Sequence, residues 1–157
     1  MLLKYLIVFF VSMIPILELR FAVPFAVGMG LPYIPALIIC VLGNMVPVPF
    51  IYLFARKFLV WGAGQKHIGS FCQKFLDKGE QAGKKIVSTT GRGGTFLALM
   101  LFVGIPIPGT GAWTGTLAAS LLDLGPKTTA VAVSLGVIMA GVIMALASGS
   151  VFHIIGL

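Results

Sequence analysis

Glu18 and Arg20 stand in the stretch LELRFAVP, inside a segment that is otherwise almost free of charge. A charge near the centre of a bilayer costs about 2.5–3.5 kcal/mol on insertion scales, so it is normally partnered or faces a watery cavity. Two positions apart on a helix, the two side chains point to nearly opposite faces and do not pair with each other. Their partners must come from elsewhere in the chain. As chemistry, Glu18 is a carboxylate that exchanges a proton. The Arg20 guanidinium is a group that grips phosphate through two parallel hydrogen bonds. As architecture, Glu18 accepts from backbone N–H groups or from Thr110, and Arg20 snorkels to an interface. Residue types alone leave both open.

The second chemical stretch is FVGIPIPGTGAWTGTL, Phe102–Leu117. No charge occurs from Gly93 to Leu122, a run that as one straight helix would reach about 45 Å, well beyond a hydrocarbon core of about 30 Å. Pro106, Pro108, Gly109 and Gly111 forbid that helix. The spacing predicts a half-helix near Thr95–Ile105, a turn at PIPGTG and a second half-helix near Gly111–Leu122, a re-entrant hairpin of the kind that holds transporter substrates. Thr110 is a ligand there or the N-cap of the second half-helix. Trp113 and Thr114 contact substrate or pack. Asn44, the strongly polar residue of another apolar segment, is an interhelical hydrogen bond or an ion ligand. His67 and His153 are isolated, and no zinc spacing, P-loop or nucleophile–base constellation occurs, so neither catalysis nor a metal or cofactor is expected.

The elements around these residues follow from composition. The chain has 157 residues, 59% hydrophobic and 10% charged, with a mean hydropathy of +1.09, which excludes an ordinary soluble domain. The expected fold is an all-α integral membrane protein, a single domain over residues 1–157. Residues 1–55 form a first repeat, 56–94 a basic connector and 95–157 a second repeat. The opening run resembles a signal peptide but lacks a small-residue cleavage site, and is expected to stay in the mature protein. Leu2–Ile14 goes in, the chain breaks around Pro15–Arg20, and a half-helix returns before Pro32. Tyr33–Phe54 is a full span kinked by Pro47 and Pro49, and Thr128–Phe152 is the last span. Gly141, Ala145 and Gly149 form a small-residue row for close packing, within the subunit or across a homodimer.

Eight basic residues between Arg56 and Arg92 face Asp77 and Glu80, a net of +6, which marks residues 56–94 as cytoplasmic. In a chain this apolar the patch is not a nucleic-acid surface. His67–Lys85 reads as amphipathic, with Ile68, Phe71, Cys72, Phe75 and Leu76 on one face, lying on an anionic leaflet or packed across the bundle mouth. The glycines from Gly79 to Gly94 read as a flexible approach to the second hairpin. Cys40 and Cys72 are too far apart in context to form a disulfide. A shift of 93 residues brings Ile14-Pro15 onto Ile107-Pro108 and Leu42-Gly43 onto Leu135-Gly136. With each half a broken hairpin plus one span, the halves form inverted repeats with both termini outside. The competing topology is four plain spans with both termini inside.

LELRFAVP and LFVGIPIPGTGAWTG (Leu101–Gly115) resemble the family of small multidrug export proteins, which is similar in turn to the DedA superfamily. The resemblance implies two re-entrant hairpins meeting at the midplane and, for DedA members, proton-driven handling of undecaprenyl phosphate, a lipid carrier. DedA members carry an arginine-flanked segment in the second hairpin; PIPGTGAWTG has none. The reading is a proton-coupled transporter or flippase in a bacterial-type cytoplasmic membrane. Its partners are the lipid bilayer, protons and an amphipathic or lipid-phosphate substrate. Its substrate-binding set is Glu18, Arg20, Asn44, Pro106, Pro108, Gly109, Thr110, Gly111, Trp113 and Thr114. An exporter of lipophilic cationic drugs and a non-transporting membrane scaffold are the alternatives.

Overall fold

A computed structural model describes residues 1–155 apart from Ile16, His67, Pro108 and Gly109. The described residues form helices and turns without a strand: α1 (Leu2–Met13), α2 (Glu18–Gly28), α3 (Tyr33–Met45), α4 (Pro47–Ala63), α5 (Gly69–Gly104), α6 (Ala112–Leu121) and α7 (Pro126–Ile155).

The two interruptions begin alike. Ile14 ends α1 with φ −72° and ψ 127°, and Ile105 ends α5 with φ −80° and ψ 119°. Each precedes a proline, whose ring pushes the residue before it out of the helical region. The two short helices that follow also end alike. Leu31 N–H donates to Ala26 O at 3.1 Å and Leu124 N–H to Ala119 O at 3.0 Å. The intervening Gly30 and Asp123 are left-handed, at φ 72° and 57°. This is the Schellman closure of a helix, and glycine or a short polar residue tolerates its positive φ.

Two expectations need correction. The helix of the first span does not end at Phe54. Val46 is a bend between α3 and α4, as Pro47 predicts, but it keeps helical angles (φ −58°, ψ −46°), so the apolar helical segment extends over Tyr33–Ala63. Pro47 sits in the first turn of α4, where its missing N–H costs little. Arg56 and Lys57 mark an interface but do not break a helix. The glycines from Gly79 to Gly94 are not a loose approach either: α5 continues through them and leaves helical geometry only at Gly91, with φ 68° and ψ 175°. Single glycines cost about 1 kcal/mol each, and Gln81, Ala82 and Lys84 around them are good helix formers.

The packing brings the interruptions together. α1 lies against α2 and α3, α5 against α6 and α7, α2 and α3 both meet α7, and α4 covers α5 and α6. Leu19, Ala22, Cys40, Val103, Ala119 and Val133 belong to the common core. Close backbone approach sets the two main crossings. A Cβ at Gly43 of α3 would stand 2.5 Å from Phe9 O of α1, and one at Gly136 of α7 would stand 2.7 Å from Met100 O of α5. Gly141 is turned inward, against Leu19 and Leu37.

The outside is apolar. Val131, Leu135, Ile138, Val142 and Leu146 line an exposed stripe of α7. In the two helices long and apolar enough to cross a bilayer, Tyr33–Ala63 and Pro126–Ser148, only 28% and 33% of the most apolar stretch is buried. A soluble protein buries such helices; these face lipid. α1, α2 and α6 are each shorter than about 20 Å and do not cross a core of about 30 Å alone. Gly136→Val should overpack the α5–α7 crossing and lower stability by about 1–3 kcal/mol. Thermal unfolding of the purified protein in detergent checks this, and an unchanged midpoint would contradict the crossing described.

Candidate functional site

The helix before the second interruption ends with unpaired carbonyls, which carry partial negative charge. The helix after it begins with unpaired N–H groups, which carry partial positive charge. Both ends are met by α2. The Arg20 guanidinium donates to Ile107 O, to Ile105 O at 3.1 Å, to Val103 O at 3.4 Å and to Thr110 Oγ1 at 2.7 Å. It therefore caps the C-terminal end of α5 and the turn beyond. Glu18 does the opposite job, its Oε1 accepting the Trp113 N–H at 3.1 Å in the first turn of α6. The two side chains diverge, as their spacing requires, and grip opposite lips of one break.

The backbone is shaped for this. Glu18 has φ 47°, a left-handed conformation that a non-glycine residue holds only at a cost of about 1–3 kcal/mol. Gly111 is extended, so its φ does not require glycine. The carboxylate does: a Cβ at Gly111 would collide with Glu18, lying 2.7 Å from its Cδ. Trp113 adds a second tie, its indole Nε1–H donating to Met13 O at 3.2 Å.

Between the two interruptions lies a cavity of about 430 Å³, walled by Glu18, Arg20, Pro106, Thr110, Trp113 and Thr114 together with Pro15, Leu17, Phe21 and Met144. Six residues of the expected set thus share one wall, and Gly111 backs the carboxylate. Pro108 and Gly109 lie outside the described residues. Thr110 is not the N-cap of α6, a position that Gly111 takes without a side-chain bond. Its hydroxyl instead lies 3.0 Å from both Ile105 O and Ile107 O and accepts from Arg20. Asn44 is elsewhere: buried and off the cavity wall, its Oδ1 without a partner among the described residues.

Sequence reasoning missed Phe21, although it lies one turn from Glu18 and Leu17 on the same helix. Met144 carried no signal, since α7 is apolar on every side. Among the described residues no cluster of His, Cys, Asp or Glu is arranged to hold a metal ion.

A protein whose described residues form helices and turns, with two long apolar helices that are mostly exposed, belongs to the class of helical membrane proteins. The chain belongs to the family described as Putative small multi-drug export protein, which matches residues 18–143. No curated protein and no solved structure matches it.

The contact between Gly111 and the Glu18 carboxylate is testable by a double-mutant cycle. Gly111→Ala should lower stability by about 1–3 kcal/mol through overpacking. In a Glu18→Ala background the same change should cost much less, because the group it strikes is gone. Melting curves of the four proteins give the coupling; additive effects would mean the carboxylate does not rest on Gly111.

Proposed function

We propose that the protein is a proton-coupled membrane exporter that carries lipophilic, positively charged molecules through the cavity between its two interruptions. The observation that carries this reading is an asymmetry between the buried carboxylate of Glu18 and the half-buried guanidinium of Arg20. Arg20 is surrounded by four acceptors of the α5 end and its turn, and its charge is already answered. A carboxylate offers about four acceptor sites, and Glu18 retains capacity beyond its bonds at the start of α6. The rest of the wall is largely apolar, with Phe21, Trp113 and Met144 on it. A flat cation is stabilised by such a lining through its apolar body, by aromatic faces and by one counter-charge. The family's description as multi-drug export agrees with that cargo.

Coupling follows from competition at one carboxylate. Protonated Glu18 accepts more weakly from the Trp113 N–H, so α6 is less firmly held to α2. Ionised Glu18 binds cargo or recloses the staple. Each proton taken up from one side thus exchanges for a cation.

The architecture we attach to this mechanism is a pair of inverted repeats, each a re-entrant hairpin and one span. In the first, α1 and α2 form the hairpin and α3 the span; in the second, the last part of α5 pairs with α6, and α7 crosses. Three features support it at the same 93-residue shift. Tyr33, the first residue of α3, falls on Pro126, the first of α7. The closures of α2 and α6 coincide bond for bond. Gly43 and Gly136 make equivalent crossings. With Arg56–Arg92 on the cytoplasmic side, the first hairpin enters from outside and the second from inside.

A second reading, a flippase for a lipid phosphate of the DedA type, is favoured by one observation: Arg20 is half-buried on the same wall. Phosphate oxygens replacing the carbonyls of Ile105 and Ile107 would keep a bidentate geometry.

The deciding experiment uses proteoliposomes with an imposed pH gradient and either ethidium or a fluorescent polyprenyl phosphate. Gradient-driven ethidium movement in wild type should fall about tenfold or more in Glu18→Gln, as expected when a charge-assisted contact is removed. Circular dichroism and gel filtration should show that the variant is folded. Wild-type ethidium transport in folded Glu18→Gln would overturn the carboxylate's role. Movement of the lipid alone, lost in Arg20→Lys, would replace the exporter by the flippase.

A further inference from the structure

We infer that the groove between α4 and α6 binds an anionic phospholipid of the surrounding bilayer, its headgroup on Lys57 and one acyl chain along α6. This site is separate from the cavity and does not depend on what the cavity carries. The groove encloses about 700 Å³ and is walled by Phe54, Lys57, Phe58 and Trp61 of α4 and Leu117 and Leu121 of α6, among others. Its surface is almost entirely apolar, and Lys57, which is exposed, lines it with its aliphatic stem and leaves its ammonium group free to meet a headgroup.

Three physical facts select the occupant. The first is length. α6 has 10 residues, so at about 1.5 Å per residue it is half as long as a hydrocarbon core is thick. Beside it the longer helix α4 leaves Phe54, Phe58 and Trp61 exposed, and a chain in the bilayer covers them. The second is fixity. The Tyr52 hydroxyl donates to Leu124 O, and the Ser120 hydroxyl donates to Tyr52 O at 3.0 Å. α4 and α6 are therefore locked together, and the groove is a formed feature rather than a gap that closes. The third is charge and depth. Phe58 and Trp61 meet at a centroid distance of 5.9 Å with their rings tilted by 36°, next to Lys57 in the sequence, and aromatic rings with a basic residue are the side chains that settle at headgroup level. An ammonium there complements a phosphate with a net negative charge, whereas a lipophilic cation is repelled by it.

The stripe continues inward. Trp113 and Leu117 are one turn apart on α6, as are Leu117 and Leu121, so one face of this helix serves the cavity at its start and the groove at its end. A chain in the groove abuts the helix that Glu18 holds.

The test is competitive binding to the full-length protein in detergent, using phosphatidylglycerol and phosphatidylcholine with brominated chains. Trp61 and Trp113 are the two tryptophans of the chain, and bromine in the groove quenches Trp61. Quenching by the phosphatidylglycerol should be stronger, and Lys57→Gln should reduce its apparent affinity about fivefold, the size expected for one basic residue at a membrane surface. Lys66→Gln, which removes a charge outside the groove wall, should leave the preference intact. Native mass spectra of the same three proteins give a second count of bound lipid. Equal binding of both lipids, a preference that survives Lys57→Gln, or an equal loss in Lys66→Gln would each overturn the inference.

Discussion

The interaction on which the rest depends is the double capping of one broken segment by two charges from another. Breaking a helix inside a bilayer leaves carbonyls and N–H groups without partners, and lipid supplies none. Here the carbonyl end is met by a cation and the N–H end by an anion, both from the first turns of α2. Each ion stabilises the helix end of opposite sign. The break in turn supplies both ions with hydrogen-bond partners. Neither half of this arrangement is viable alone, which is why an arginine and a glutamate two residues apart face a proline–glycine break roughly ninety positions later.

That mutual dependence also explains why the second interruption has no ionisable residue of its own. Gly111 must be small because the carboxylate occupies the space of its side chain. Thr110 supplies one hydroxyl that serves Arg20 and the α5 carbonyls together. A charged residue in this turn would compete with the pair that already serves it. The site is therefore asymmetric although the helices around it follow one pattern twice, and the asymmetry gives the cavity a chemically distinct wall.

Much of the architecture was legible because breakers act locally. Pro15 and Pro106 end their helices through the residue before them, so α1, α2, α6 and the last part of α5 fall close to where the sequence predicts. The sequence misled where breaking is a matter of degree. Gly79, Gly83, Gly93 and Gly94 are weak penalties that their neighbours outvote, and Gly91 alone carries the bend. Likewise Arg56 and Lys57 signal where a bilayer ends, not where a helix does. Spacing showed that Glu18 and Arg20 diverge, but not which acceptors they reach, since that depends on how α2 lies across α5 and α6. The N–H that Glu18 staples belongs to Trp113, a residue of the same cavity wall.

A single side chain that both closes a cavity and faces into it ties occupancy to shape. If Glu18 only stapled, the cavity would be a packing defect, and the strained backbone at φ 47° would persist for no gain beyond a cap that an unstrained residue could supply. If Glu18 only bound cargo, its contact with Gly111 and the Trp113 N–H would waste the acceptor capacity it needs. Were both roles on one carboxylate, as we propose, removing its charge would weaken the hold on α6 at the moment the cavity loses its counter-ion. α6 is the short helix of the bundle with the least length to anchor it: Tyr52 and Ser120 fix its far end to α4, and Glu18 and the Trp113 indole fix its near end. In the mechanism we propose, releasing the near end while the far end stays locked would convert a change of protonation into a hinge of one helix, without unpacking the two spans that hold the protein in the membrane.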